Sequence, residues 1–220
     1  MGIEFAAYPF VAARHAAVVP PLIGCVDSKR RPVVVVGGGP VGMVTALGLA
    51  NHGIPVVLIE ADDSVCFGSR AICISRRSLE IIERLGAIDG FKRIGLPWTG
   101  GRSFYRDVEV LKFSMPQDEN QKHAPMVNLA QYRIEQILLD QVEARRDLID
   151  VRWQTKVTAI EQDDQGARLT LSTPHASYQL DADWLVAADG GRSFIRESMG
   201  LALNGTSYEG RYVIVDILLD

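Results

Sequence analysis

Residues 32–60 read PVVVVGGGPVGMVTALGLANHGIPVVLIE, and this stretch decides the fold. Val33 to Val36 is a run of β-branched residues bounded by glycines, the mark of a strand buried on both faces at the centre of a parallel sheet. Pro40 to His52 is small and apolar throughout, with Pro40 near its first turn and Gly53 just past its end, which predicts a closely packed helix. Pro55 to Glu60 predicts a second buried strand. Together these segments make a β-α-β unit of about thirty residues with a right-handed crossover.

The turn between the first strand and the helix is Gly37-x-Gly39-x-x-Gly42, and Glu60 closes the next strand 18 residues beyond Gly42. Gly37 permits the tight turn, Gly39 lets backbone approach a pyrophosphate, and Gly42 lets helix and strand pack closely. Pro40 and Val41 complete the loop at a helix N-terminus, where unpaired N–H groups and a positive partial charge suit an anion. Glu60 can accept hydrogen bonds from a ribose diol and disfavours a ribose 2′-phosphate, which points to NAD or FAD rather than NADP. The glycine motif does not separate those two. A glycine-rich turn with no ligand competes only when the motif stands without its strand, helix and acid.

The rest of the chain sets boundaries on function. Its 220 residues, 47% hydrophobic and 23% charged, suffice for one to two globular domains and exclude a disordered, collagen-like or coiled-coil chain. A net charge of -4 provides no basic footprint for nucleic acid or an anionic membrane. Cys25, Cys66 and Cys73 are odd in number and lack C-x-x-C spacing, which argues against a disulfide framework or a metal site and fits a reducing cytoplasm. Phe5 to Val26 is apolar, but Arg14, His15, Pro9, Pro20 and Pro21 interrupt it, so it predicts neither a signal peptide nor a membrane span. Residues 1–31 read as an extension that packs over a domain or stays loose.

Ser75 can cap a helix carrying Leu79, Ile82 and Leu85 that stops at Gly86. Residues 102–115, RSFYRDVEVLKFSM, alternate roughly between polar and apolar, predicting an antiparallel strand or hairpin in another sheet. Helical spacing returns at Ile134, Ile137, Leu138 and Val142, followed by strand-like segments at 151–161, 167–173, 177–180 and 183–188. Trp98 and Trp184 read as packing residues.

About 150 residues after the glycine motif comes Asp189-Gly190-x-x-Ser193-x-x-Arg196, within WLVAADGGRSFIRESMGL. An aspartate beside glycine at a strand-to-helix turn can organise backbone amides around a diphosphate, with Arg192 and Arg196 adding charge. Taken alone, an Asp-Gly turn that merely caps a helix explains it equally well. The two motifs in this order resemble the class A flavoprotein aromatic hydroxylases, the family of para-hydroxybenzoate hydroxylase and phenol hydroxylase.

The resemblance implies a Rossmann-like α/β FAD-binding domain with a parallel sheet, from residues 32–95 and 126–205. Pieces of a mostly antiparallel substrate domain would lie at 96–125 and 206–220. It implies that Asp189 and Gly190 touch the FAD pyrophosphate region, and that Arg70, in GSRAICISRRSLEIIERLG, reaches the pyrophosphate or flavin edge. Gln131, in NLAQYRIEQIL, matches a glutamine that contacts the cofactor; its plainer reading is an N-terminal helix residue. NADH or NADPH would reduce FAD, and a flavin C4a-hydroperoxide formed with O₂ would hydroxylate a small aromatic substrate.

No catalytic residue is assigned, because the cofactor carries the chemistry and His15, His52, His123 and His175 are scattered. The family's later Gly-Asp motif is absent, so the chain reads as the N-terminal part of a longer enzyme, ending in the apolar alternating segment GRYVIVDILLD. A non-hydroxylating FAD oxidoreductase and a non-catalytic nucleotide-binding remnant are the alternatives, and assembly as a homo-oligomer stays open.

Overall fold

A computed structural model describes residues 10–68, 70, 72–211 and 213. Its first regular elements are a short hairpin, β1 (Leu22–Ile23) and β2 (Val26–Asp27), then β3 (Arg31–Val36), helix α1 (Pro40–Asn51) and β4 (Val56–Ile59). β3 and β4 pair in parallel, from Val33 opposite Val56 to Val36 opposite Ile59. All these side chains are buried, each contributing about 1.5–3 kcal/mol by leaving water. α1 buries Met43, Ala46, Leu47 and Ala50, so its small residues serve close packing.

The chain then forms β5 (Cys73–Ser75), α2 (Arg76–Arg84), α3 (Ile88–Ile94), β6 (Leu96–Trp98), β7 (Gly100–Tyr105), β8 (Val108–Ser114) and β9 (Met126–Asn128). The Ser75 hydroxyl accepts the Ser78 N–H at 3.3 Å and caps α2, and Gly86, at φ +80°, follows the end of that helix. The alternating stretch forms the β7–β8 hairpin, a two-stranded sheet of its own. β5, β9 and β6 make a separate antiparallel sheet. Helix α3 and this small sheet have no counterpart in the sequence reading, because three-residue strands are too short to show a period.

Last come α4 (Gln131–Glu143), β10 (Ile149–Arg152), β11 (Lys156–Asp163), β12 (Gly166–Ser172), β13 (Ser177–Ala187) and α5 (Phe194–Ser198). Two expectations are corrected here. The segment 151–161 divides into β10 and β11, because Gln154 between them adopts a left-handed φ of +50°. The strands expected at 177–180 and 183–188 are one strand, β13, which pairs antiparallel with β12 from Ser177 to Ala182 and parallel with β3 from Ala182 to Ala187. Eleven residues extend to about 36 Å, enough to serve both partners.

The parallel part of the sheet runs β2-β13-β3-β4-β10, with β1 antiparallel on the edge. Residues 10–31 therefore do more than flank the domain: the hairpin extends its sheet, and Arg31 already belongs to β3. One core lies under α1 and α4, with Val33, Val35 and Leu58. The other, with Val34, Val57 and Ile59, is closed by Leu169, Leu171 and Leu180 of the antiparallel strands.

Trp184, expected to pack, is 73% exposed. It stands opposite Val33 on the β13 side of the sheet, where no described element covers it. Trp98 is half-buried and donates its indole N–H to Asn128 Oδ1 at 2.7 Å. No described helix is long and apolar enough to cross a membrane. Residues 206–211 form no strand, and the apolar segment read beyond them lies outside the described residues except for Val213. Residues 1–9 and Ala71 also lie outside them.

Candidate functional site

Because β13, β3 and β4 are parallel, their carboxyl ends at Ala187, Val36 and Ile59 share one edge of the sheet. The chain leaves β3 towards β4 on one side while β13 enters on the other, and such a switch point opens a crevice beyond the strand ends. A cavity of about 430 Å³ lies there, within the usual range of ligand pockets. Gly37, Gly39, Pro40, Val41 and Glu60 line it from the first unit; Arg70, Gln131, Asp189 and Gly190 line it from remote parts of the chain. Of the residues the sequence offers for the cofactor, Gly42 and Arg196 are not on its wall.

The two motif turns touch. Gly37 has φ +108°, and a Cβ there would lie 2.3 Å from Ala188 O and 3.0 Å from Asp189 N. The Gly37 N–H donates to Ile59 O and the Ala188 N–H to Val36 O, each at 2.8 Å, knitting the three strand ends together. Gly42 is required by the protein as well: a Cβ would sit 1.8 Å from Gly37 O. Gly39 and Gly190 differ, since among the described residues a Cβ on either would meet no atom beyond its chain neighbours within 4 Å. Their bareness leaves open space for a ligand rather than relieving a clash. At α1, Pro40 occupies the first turn, no side chain caps the helix and no acid lies in that turn, so Val41 and Gly42 begin the helix with amides lacking an intrahelical acceptor.

Glu60 is held by two backbone donors: the Gly38 N–H reaches Oε2 at 2.6 Å and the Asp62 N–H reaches Oε1 at 2.8 Å. Burial raises its pKa above the ordinary carboxylate value, partly offset by those hydrogen bonds. Gly38 occupies the unspecified position of Gly37-x-Gly39, yet a Cβ there would lie 2.9 Å from Glu60 Cβ. The run of three glycines was the available signal.

Asp189 spends its carboxylate inside its own turn. Oδ1 accepts the Ser193 hydroxyl at 2.6 Å, Oδ2 accepts the Ile195 N–H at 3.1 Å, and Ser193 Oγ in turn accepts the Arg196 N–H at 2.9 Å. Its first effect is thus to set the backbone after β13, with Gly190 at φ +81°. Arg192 borders the cavity, whereas Arg196 is not on its wall and donates to Gly191 O at 2.9 Å.

A buried carboxylate that sequence reasoning missed organises the far wall. Glu135, 3% exposed on α4, accepts the Gln131 side-chain N–H at 2.8 Å and the Cys66 backbone N–H at 2.6 Å. It therefore joins α4 to the loop after β4, and the signal was an acid among Ile134, Ile137 and Leu138 on an otherwise buried helix face. Burial, then the neighbouring Glu135 charge, pushes the Cys66 thiol up to about 12. Cys66 is thus an uncharged wall residue, not a nucleophile. Arg70 has a left-handed φ of +42° and is exposed at the cavity mouth, where its guanidinium offers the fork of donors that suits a diphosphate.

A parallel sheet, a glycine turn at a helix N-terminus and an acid closing the next strand define a dinucleotide-binding α/β domain. Residues 30–220 match the family described as FAD binding domain, and the chain belongs to that family. It is 29% identical to para-nitrophenol 4-monooxygenase of Pseudomonas sp. (strain WBC-3), over 86% of this chain and 47% of that protein. It is 30% identical to 6-hydroxy-3-succinoylpyridine 3-monooxygenase HspB of Pseudomonas putida (strain DSM 28022 / S16), over 88% of this chain and 50% of that one. Among solved structures, p-nitrophenol 4-monooxygenase PnpA from Pseudomonas putida DLL-E4 superposes with a TM-score of 0.73 at 28% identity, covering 81% of this chain and 46% of its own. The flavin-dependent monooxygenase PieE, in complex with FAD and substrate, gives a TM-score of 0.73 at 26% identity, covering 81% of this chain and 33% of its own. The resemblance to the class A flavoprotein hydroxylases holds at the level of family. The chain spans half or less of the length of these relatives.

Proposed function

We propose that this chain is the cofactor-binding part of an FAD-dependent monooxygenase that hydroxylates a small phenolic or aromatic substrate, with NADH or NADPH as reductant and O₂ as oxidant. The observation that carries the reading is the meeting of the Gly37 and Asp189 turns, with Glu60, on one cavity at the sheet's switch point. The residues fit the group. Among the described residues no atom beyond the chain neighbours lies within 4 Å of where a Cβ on Gly39 or Gly190 would stand, the α1 amides carry no acidic cap, and Glu60 is anchored with lone pairs to spare.

In this assignment the Val41 amide at the start of α1 meets the diphosphate, Gly39 and Gly190 admit it, and Gly42 keeps the helix close against the Gly37 turn. Arg70 compensates its charge, Glu60 accepts from the adenosine ribose, and Asp189 shapes the second turn without donating. Gln131, held by Glu135, presents its carboxamide to the cofactor. Held by these residues, FAD would supply the hydride-accepting and oxygen-activating chemistry, one atom of O₂ going to the ring and the other to water at the expense of NAD(P)H. The chain's own residues bind and orient it. Residues 32–95 and 126–205 are assigned to the cofactor domain, and 96–125 with 206–220 to the substrate side.

Purified protein should carry or take up FAD with flavin absorbance, and phenols should stimulate NAD(P)H oxidation in the whole protein with a hydroxylated product. Absence of FAD binding would overturn the assignment. Reductant consumption giving only hydrogen peroxide for every phenol tried would count against hydroxylation while leaving the FAD site standing.

A further inference from the structure

The family match begins at residue 30, yet the residues before it make an ordered series of contacts. Phe10 packs on Tyr132 with ring centroids 4.4 Å apart, and the Arg133 guanidinium lies 5.0 Å over the Phe10 ring. Arg14 forms an ion pair with Asp63. The His15 N–H donates to Asp63 O at 2.7 Å, and His15 O accepts the Gln154 side-chain N–H at 2.8 Å. The His15 ring stacks on Trp153, centroids 4.4 Å apart and planes within 10°.

Asp63 lies between the cavity-lining Asp62 and Ser64, Gln154 precedes the lining Thr155, and Tyr132 follows the lining Gln131, while residues 10–15 themselves are absent from the wall. Asp63 belongs to the loop that follows Glu60, and the Asp62 amide in that loop holds Glu60 Oε1. Trp153 and Gln154 connect β10 to β11, where the Gln154 N–H donates to Asp62 O at 2.9 Å and the Thr155 N–H to Glu60 O at 2.8 Å. One short segment thus grips both sides of the seam that carries the ribose-facing acid.

We propose that residues 10–15 are a strap that holds the loop 61–66 against the β10–β11 connection, and that His15 and Arg14 are positioning residues for Glu60 and hence for the adenosine end of the dinucleotide. The affinity part of this inference rests on the FAD assignment made above. The physical argument is preorganisation: a loop held in its binding geometry before the ligand arrives costs less entropy on binding. The exposed Arg14–Asp63 pair adds little by itself and the His15 backbone bonds survive substitution, so the ring stack on Trp153 is the contact whose loss the variants read.

The test uses the full chain as wild type, Arg14→Ala/His15→Ala, His15→Phe, and Gly39→Val as a ligand-side control. Affinities for ADP and FAD are measured by calorimetry, and amide hydrogen exchange is followed at 61–66 and, as a fold control, in β3 and α4. The double variant should weaken ADP and FAD by about tenfold, the scale of one good polar contact with its neighbour. Exchange at 61–66 should quicken with β3 and α4 unchanged, and His15→Phe, which keeps a stacking ring, should restore both. Gly39→Val should abolish binding with exchange at 61–66 unaltered.

Unchanged exchange at 61–66 in the double variant overturns the strap. Faster exchange there with undiminished ADP and FAD affinity overturns its positioning role. Failure of the wild type to bind either nucleotide overturns the FAD assignment and the affinity part with it, while the exchange data still decide whether the strap holds the loop. Should the double variant lose protection in β3 and α4 as well, the milder His15→Ala gives the deciding comparison on the same readouts.

Discussion

At the scale of single residues, the glycines of one motif divide into two kinds with opposite consequences. Gly37 combines φ +108° with a neighbouring carbonyl 2.3 Å from where a Cβ would stand, so Gly37→Ala should destabilise the fold by roughly 2–4 kcal/mol, read by urea denaturation. Gly39 has ordinary extended backbone, φ -74° and ψ -175°, and open space in front of it. Gly39→Val should leave stability within about 1 kcal/mol and remove FAD binding; retention of FAD by that variant would defeat the placement of the diphosphate. Glu60 adds a pH dependence of stated sign. Burial raises its pKa, so its contribution to folding is most favourable below the ordinary carboxylate value and is lost as pH rises through the raised one. For ligand the direction reverses, because the ribose needs the ionised acceptor. FAD affinity should fall on acidifying through that same window, and Glu60→Gln should flatten the dependence in a calorimetric pH series.

Between elements, polar groups decide what apolar burial leaves open. Asp27 on β2 has no exposed side-chain surface, and its Oδ2 accepts from Arg152 Nη2 at 2.7 Å; Arg152, itself 2% exposed, also donates to the Tyr178 hydroxyl at 3.1 Å. Burial alone would raise the Asp27 pKa, but the hydrogen bonds from Arg152 and the Lys29 amide, with the charges of Arg152 and Arg31, hold it below the usual value. Its stabilising effect is therefore present above the ordinary carboxylate pKa and lost as pH falls through the depressed one. This pair joins the edge hairpin to β10 and β13. Arg152→Met, which leaves the buried Asp27 only Arg31 and the Lys29 amide as partners, should cost about 3 kcal/mol by denaturation, and Asp27→Asn/Arg152→Met should recover part of it. None of this was legible in the cluster DSKRR at residues 27–31, which reads as a solvated boundary, because a charge partner 125 residues away leaves no local pattern. Glu135 differs in part: its place on an apolar helix face is a local sign of burial, but its Cys66 partner 69 residues away leaves none.

For the molecule as a whole, ligand binding and folding are one linked equilibrium. FAD at about a hundred times its dissociation constant should add roughly 2.7 kcal/mol to stability and raise the melting temperature by about 5–10 °C, a shift that Gly39→Val should abolish. A wild-type melting temperature indifferent to FAD would contradict the site. Sequence alone determined the β-α-β unit, its buried strands and the chemistry of its turn, because a run of β-branched residues and a glycine spacing are local and periodic. It also determined the second motif, since turn chemistry is written in neighbouring residues. Only the tertiary structure decided that the two turns abut at Gly37, that β13 is a single strand serving two pairings, and that Asp189 turns its carboxylate inward. It alone revealed that Gly38 yields to Glu60 and that Glu135 fastens the far wall. Those facts arise from side chains distant in sequence competing for the same few ångströms, and such competition has no signature until the chain has folded.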